Sequence, residues 1–310
     1  MISDPAPLSV QFCHLLVAVD FSEASAAASR EAVWLAGIFG AHLTFVHGLT
    51  PASHYFEEGW PCGEDAAERR RVAAEARLRK WCDDLAAGLG AGVEVIEGSP
   101  FECLVRRASE LGVDLLVLGR RGQSSSRLAG ERLGSTALRV VRHAGSPVWL
   151  TDGSGLDGSE GPRRVVLATD FSAAAAAAVP VAVGLAAALG AGVTVVNVQE
   201  PLALPGQVEY ERHEVEIEAR RTRAAAALED WRIEQLAACP DSVSESVEGS
   251  PPSALCRAAR RLQADVLVLA SRGQTSWWRA LLGTTAERVA EHAPCPVLVV
   301  PVAGRTAEEE

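Results

Sequence analysis

The sequence lacks an apolar run of the roughly 20 residues that a membrane span needs. The stretch after Met1, MISDPAPLS, is polar and proline-containing where a secretory signal would be apolar. It has too few basic residues to present a general nucleic-acid face: Lys and Arg number 29 against 40 Asp and Glu, for a net charge of −11. That balance leaves anionic small molecules open, because a local nest of backbone N–H groups outweighs distant surface charge. Seven cysteines are scattered with no CxxC pair, which fits reduced thiols packed as small core residues in a cytosol-like compartment. The expectation is a cytoplasmic protein with no membrane span and no nucleic-acid partner.

Catalytic signatures are missing too. There is no Walker A run and no GxSxG elbow. His213-Glu214 is followed by Val-Glu-Ile-Glu, so no HExxH zinc motif forms. No HxGH element is present, which argues against a nucleotidyl transferase. His54 with Glu57 and Glu58 reads as a solvated loop rather than a metal site.

What the chain does have is a duplication. Asp114 to Thr136 reads DLLVLGRRGQSSSRLAGERLGST, and about 150 residues later Asp265 to Thr285 reads DVLVLASRGQTSWWRALLGTT. VAVDFS, ending at Ser22, returns as LATDFS, ending at Ser172, and EGSP at 97–100 returns at 248–251. The stretch DGSGLDGSEGP, residues 152–162, is a Gly/Ser/Asp linker. The domains are thus 1–151 and 163–310.

Each half alternates short apolar runs with helical patterns. In the first half, strands are expected at 14–19, 43–47, 93–96, 115–118 and 147–151. A long helix from Glu64 carries Val72, Leu78, Trp81 and Leu85 on its apolar face. Pro147 argues for a strand start or an edge. The Ala run 173–178 reads as plain helix propensity. The alternation predicts an α/β fold: two tandem, five-stranded, parallel-sheet, Rossmann-like domains with right-handed crossovers.

In such sheets ligands lie beyond the carboxyl ends of the strands. Asp20 and Asp170 follow strand 1 of each half. A glycine loop follows strand 4 and runs into a helix start. Unpaired N–H groups there carry partial positive charge, glycine lets a phosphate approach, and a hydroxyl adds a donor. Arg120, Arg121 and Arg272 are candidate phosphate partners, with solvated surface the blander alternative. Trp277 and Trp278 are expected to pack rather than cover a ligand. His143 and His292 read as partners of helix C-termini rather than catalysts.

VAVDFSEAS, LATDFSAAA and the loop pattern G-x2-G-x9-G-[ST] resemble the universal stress protein family in its tandem two-domain form, over about residues 11–151 and 163–302. The resemblance implies the universal stress protein type of five-stranded domain, ATP as ligand, and a homodimer paired through terminal strands. It implies that Asp20, Gly48, Gly119, Gly122, Gly134 and Ser135 bind nucleotide in the first half. In the second half it implies Asp170, Val198, Gly273, Gly283 and Thr284. The first copy has eleven residues between Gly122 and Gly134 rather than nine, and the second has Ala270 in place of the leading glycine.

The function so implied is an ATP-binding stress-response sensor or regulator with little or no catalysis. Room remains for slow ATP hydrolysis, with Mg2+ bridging phosphates near Asp20 or Asp170. The alternative is a nucleotide-free dimeric interaction scaffold, whose apolar last strands pair with each other or with another chain.

Overall fold

The computed structural model describes residues 10–50, 64–122, 133–153, 163–201, 210–273 and 283–302. Trp277, Trp278, His54, Glu57 and Glu58 lie outside the described residues. The chain divides into two compact units, one built from Gln11–Ser159 with Pro296–Glu310 and the other from Met1–Val10 with Glu160–Cys295.

The first unit runs β1 (His14–Ala18), α1 (Glu23–Phe39), β2 (His42–Leu49), α2 (Glu64–Leu85), β3 (Gly92–Glu97), α3 (Pro100–Glu110), β4 (Leu115–Gly119), α4 (Ser135–His143) and β5 (Val148–Thr151). These strands lie in the order β3-β2-β1-β4-β5, all parallel. Leu15, Leu16 and Val17 are buried, as expected for a strand covered on both faces. Ser22 caps α1 by accepting the Ser25 amide at 3.1 Å, and Gly40 closes it at φ 63°. On α2, Leu78 is buried, but Val72 is exposed and leaves the apolar face assigned to it.

The second unit repeats the plan as β6 (Arg164–Thr169), α5 (Ala173–Leu189), β7 (Gly192–Gln199), α6 (Tyr210–Gln235), β8 (Val243–Glu248), α7 (Pro251–Arg261), β9 (Val266–Ala270) and α8 (Thr284–His292). Its strands lie in the order β8-β7-β6-β9, all parallel. The Ala run does more than favour a helix: Ala175, Ala178, Ala182 and Ala186 are buried at helical spacing. Gly184 is obligatory, since a Cβ there would stand 2.8 Å from the backbone N and O of Val10.

The expectation of two five-stranded parallel domains needs one correction. The last strand, β10 (Val297–Val300), joins the first unit and runs antiparallel to β5, with Leu298 opposite Trp149. Among the described residues, the first unit therefore has six strands and the second four. Pro147 precedes a strand start, as its missing N–H allows, but β5 is not an edge. Period and composition locate a buried strand without saying which unit receives it. Among the described residues, no helix is long and apolar enough to cross a membrane.

Candidate functional site

The site in each unit starts from the DFS tripeptide. Phe21 and Phe171 both adopt a left-handed backbone, φ 63° and 64°, uncommon for a bulky residue and costing about 1–3 kcal/mol. The kink lets the preceding aspartate serve the following helix. Asp20 Oδ1 accepts the Ser22 amide at 3.0 Å, and Asp170 Oδ1 accepts both the Ser172 amide at 3.0 Å and its hydroxyl at 2.5 Å. The Phe21 ring is held by His47 at 4.8 Å, Trp81 at 5.5 Å and the Arg77 guanidinium at 3.9 Å. Phe171 meets Trp231 at 6.4 Å.

The second oxygen of each aspartate abuts the glycine loop. A Cβ built on Gly122 would overlap Asp20 Oδ2, and one on Gly273 would overlap Asp170 Oδ2. At the strand end, a Cβ on Gly119 would stand 2.8 Å from the Cβ of Ala24. None of these loop glycines has a positive φ; each is glycine for space. Ala270 accordingly fits in the second unit without backbone strain.

Gly134 and Gly283 close the loops. The Gly134 amide donates to Arg120 O at 2.7 Å, and the Gly283 amide to Ser271 O at 2.9 Å. Those two amides serve the fold and are not aimed at a ligand. Both glycines are helix N-caps without a side chain, unlike Ser22 and Ser172, so the following amides receive no side-chain cap. Ser135 and Thr284, the first helical residues, bring hydroxyls to the same place.

Asp20, Gly48, Gly119, Gly122, Gly134 and Ser135 all line one cavity of about 240 Å3. Asp170, Val198, Gly273, Gly283 and Thr284 line a cavity of about 470 Å3 in the second unit. Small-molecule sites usually span about 300–1,000 Å3, which only the second reaches. Gly48 lies against α3, and a Cβ there would stand 2.9 Å from Pro100 Cα.

Of the three arginines, Arg120 differs from expectation. Arg120 borders the first cavity, but its side chain is 3% exposed and already pairs with Asp152 at 3.5 Å, so its charge is engaged by a carboxylate. Ser271 takes its place in the second unit. Arg121 is exposed and lines the first cavity, as its counterpart Arg272 lines the second. His292 Nδ1 donates to Arg288 O at 2.9 Å, one turn back on its own helix, and His143 packs against Phe101 at 6.0 Å.

Sequence reasoning overlooked several lining residues. Arg220 on α6 borders the second cavity and donates to Glu200 O at 3.0 Å. Arg70 does the same to Thr50 O at 3.2 Å, and the pair could have been found as matching positions in the repeat. Asn197 donates to Thr169 O at 2.8 Å, while His47 Nδ1 donates to Val19 O at 2.7 Å. Two unlike residue types thus tie strand 2 to strand 1 of each half, which hid the equivalence. Gln199 Nε2 donates in turn to Asn197 Oδ1.

Among the described residues, no group of three His, Cys, Asp or Glu side chains could hold a metal ion. Asp170 has one oxygen taken by Ser172 and the other against Gly273, so the donor set does not fit a magnesium ion held by the protein.

A family model described as the universal stress protein family matches residues 12–152 and again 161–301. A universal stress protein of Mycolicibacterium smegmatis is 28% identical over 299 residues, covering 92% of this chain and 96% of that one. Universal stress protein E of Escherichia coli is 24% identical over 300 residues, 93% of each. The crystal structure of a universal stress protein from Archaeoglobus fulgidus has a like fold, with a TM-score of 0.67 at 17% identity, covering 95% of this chain and 98% of that one. With two matches that together span most of its length, the chain belongs to the universal stress protein family and carries that family's domain in tandem.

Proposed function

We propose that the second unit binds ATP, one molecule per chain, and that the protein acts through this occupancy as a sensor or regulator in a stress response. One observation carries the reading: the 470 Å3 cavity joins a glycine loop to an uncapped helix start. Amides and the Thr284 hydroxyl favour a polyanion there, and Arg272 and Arg220 add positive charge at its border. Away from that end, Ala168, Pro251 and Leu255 offer an apolar wall for a base. Any Mg2+ enters as the nucleotide's own counter-ion.

The scaffold alternative is favoured in the first unit alone. Its cavity is half the size, and Arg120 is committed to Asp152. The homodimer expected through terminal strands meets a constraint, because β5 already pairs with β10 of the same chain. That intramolecular pairing uses the β5 edge that a seam between chains would otherwise need.

Denaturing the purified protein and assaying released nucleotide, together with titration calorimetry, tests the reading. ATP bound in a one-to-one ratio supports it. No release, with no uptake at millimolar ATP, rejects it.

A further inference from the structure

The second cavity has two chemically different ends. The start of α8 is the anion end. The other lies at the carboxyl end of β7, where Asn197 and Gln199 reach the cavity from one face of the strand. A ligand that lays phosphates on α8 brings its uncharged part to this second end, a placement that rests on the ATP reading above.

Hydrogen bonding fixes which atom Gln199 offers. The Thr169 carbonyl can only accept, so Asn197 must turn its NH2 toward it. The Asn197 Oδ1 left over also only accepts, so Gln199 must present its own NH2. Asn197 is 4% exposed and is held in this orientation by the fold. The relay leaves Gln199 Oε1 as the atom directed away from Asn197, an acceptor in a fixed sense. In the first unit the relay is absent, since His47 replaces Asn197 and Leu49 stands where Gln199 stands.

We propose that Gln199 selects the base, its amide oxygen accepting a hydrogen from a 6-amino purine and opposing a 6-oxo purine. A 6-oxo group would set one acceptor against another, and Gln199 could relieve this only by giving up its bond to Asn197. A site that must leave a polar group unpaired discriminates strongly.

The experiment measures ATP, ITP and inorganic tripolyphosphate binding by calorimetry, on the full chain and on Gln199→Leu. Gln199 is only partly buried at a strand end, so the variant should fold, and its tripolyphosphate affinity reports whether the anion end is intact. The full chain should prefer ATP over ITP by at least about tenfold. Gln199→Leu should bring the two within about threefold while leaving tripolyphosphate binding unchanged. Equal ATP and ITP affinity in the full chain, or a preference that survives in Gln199→Leu, overturns the assignment of Gln199 alone. If the full chain binds neither ATP nor tripolyphosphate, the ATP reading fails and this inference with it.

Discussion

The carboxylate of Asp170 occupies the space that a side chain at Gly273 would need: a Cβ built on that glycine overlaps Oδ2. Asp170 also holds Ser172, which caps α5. One residue thus positions both the loop and the helix beside it. Gly273→Ala should therefore lower ATP affinity at least about tenfold, because either the loop or the aspartate must move. Gly283 stands in contrast: a Cβ there would meet Ser271 O only at ordinary contact, 3.5 Å. Gly283→Ala should keep ATP affinity within about threefold and cost about 1 kcal/mol through a poorer N-cap. Calorimetry and chemical denaturation on the two variants check the contrast.

The leading loop positions make a second pair. Gly119→Ala forces a methyl group to 2.8 Å from the Ala24 Cβ, and overpacking of this kind costs about 1–3 kcal/mol. Ala270→Gly, at the matching place, should cost less than about 1 kcal/mol, chiefly through chain entropy. Urea denaturation of both variants gives the order; equal losses would contradict it.

Much of this was legible in the residues. The repeat, the alternation of strands and helices, and the convergence of Asp20 and Gly122, or Asp170 and Gly273, all follow from spacing and period. What spacing could not give was the reason each glycine is needed. Ala270 looks like a defect if loop glycines serve positive φ, but this position has no positive φ, so an alanine there carries no backbone strain. Arg120 reads as a phosphate ligand from its place in the loop, but only tertiary packing reveals Asp152 beside it. The fate of β10 is not local information either, because Val297–Val300 would suit any buried strand position. The Asn197–Gln199 relay escaped because its first-half counterpart is a histidine and a leucine.

Buried Glu31 yields a pH prediction. It accepts hydrogen bonds from Trp149 Nε1 and Thr151 Oγ1, each at 2.7 Å. Burial raises its pKa above the ordinary value, with the two donors pulling the other way. A carboxyl whose pKa is raised by folding contributes stability below its unfolded pKa, and that contribution is lost as pH rises through the folded value. Glu31→Gln should remove this loss, so the variant's stability should fall less than the parent's as pH rises from about 4.5 toward neutrality. Denaturation midpoints across that range decide it, and parallel profiles would contradict it.

The β5–β10 pairing predicts the state of the chain in solution. Leu298 and Trp149 are fully buried opposite each other, so Leu298→Ala should cost about 2–5 kcal/mol. Light scattering of the parent should give the mass of one chain, 32.6 kDa. Twice that mass would restore a homodimer built on other surfaces.

The most direct test of the central claim is equilibrium dialysis of the full chain and Gly273→Val against ATP, counting nucleotide bound per chain. The account predicts one ATP per chain for the parent and none for the variant. No binding by the parent at millimolar ATP, or equal binding by both, would contradict it.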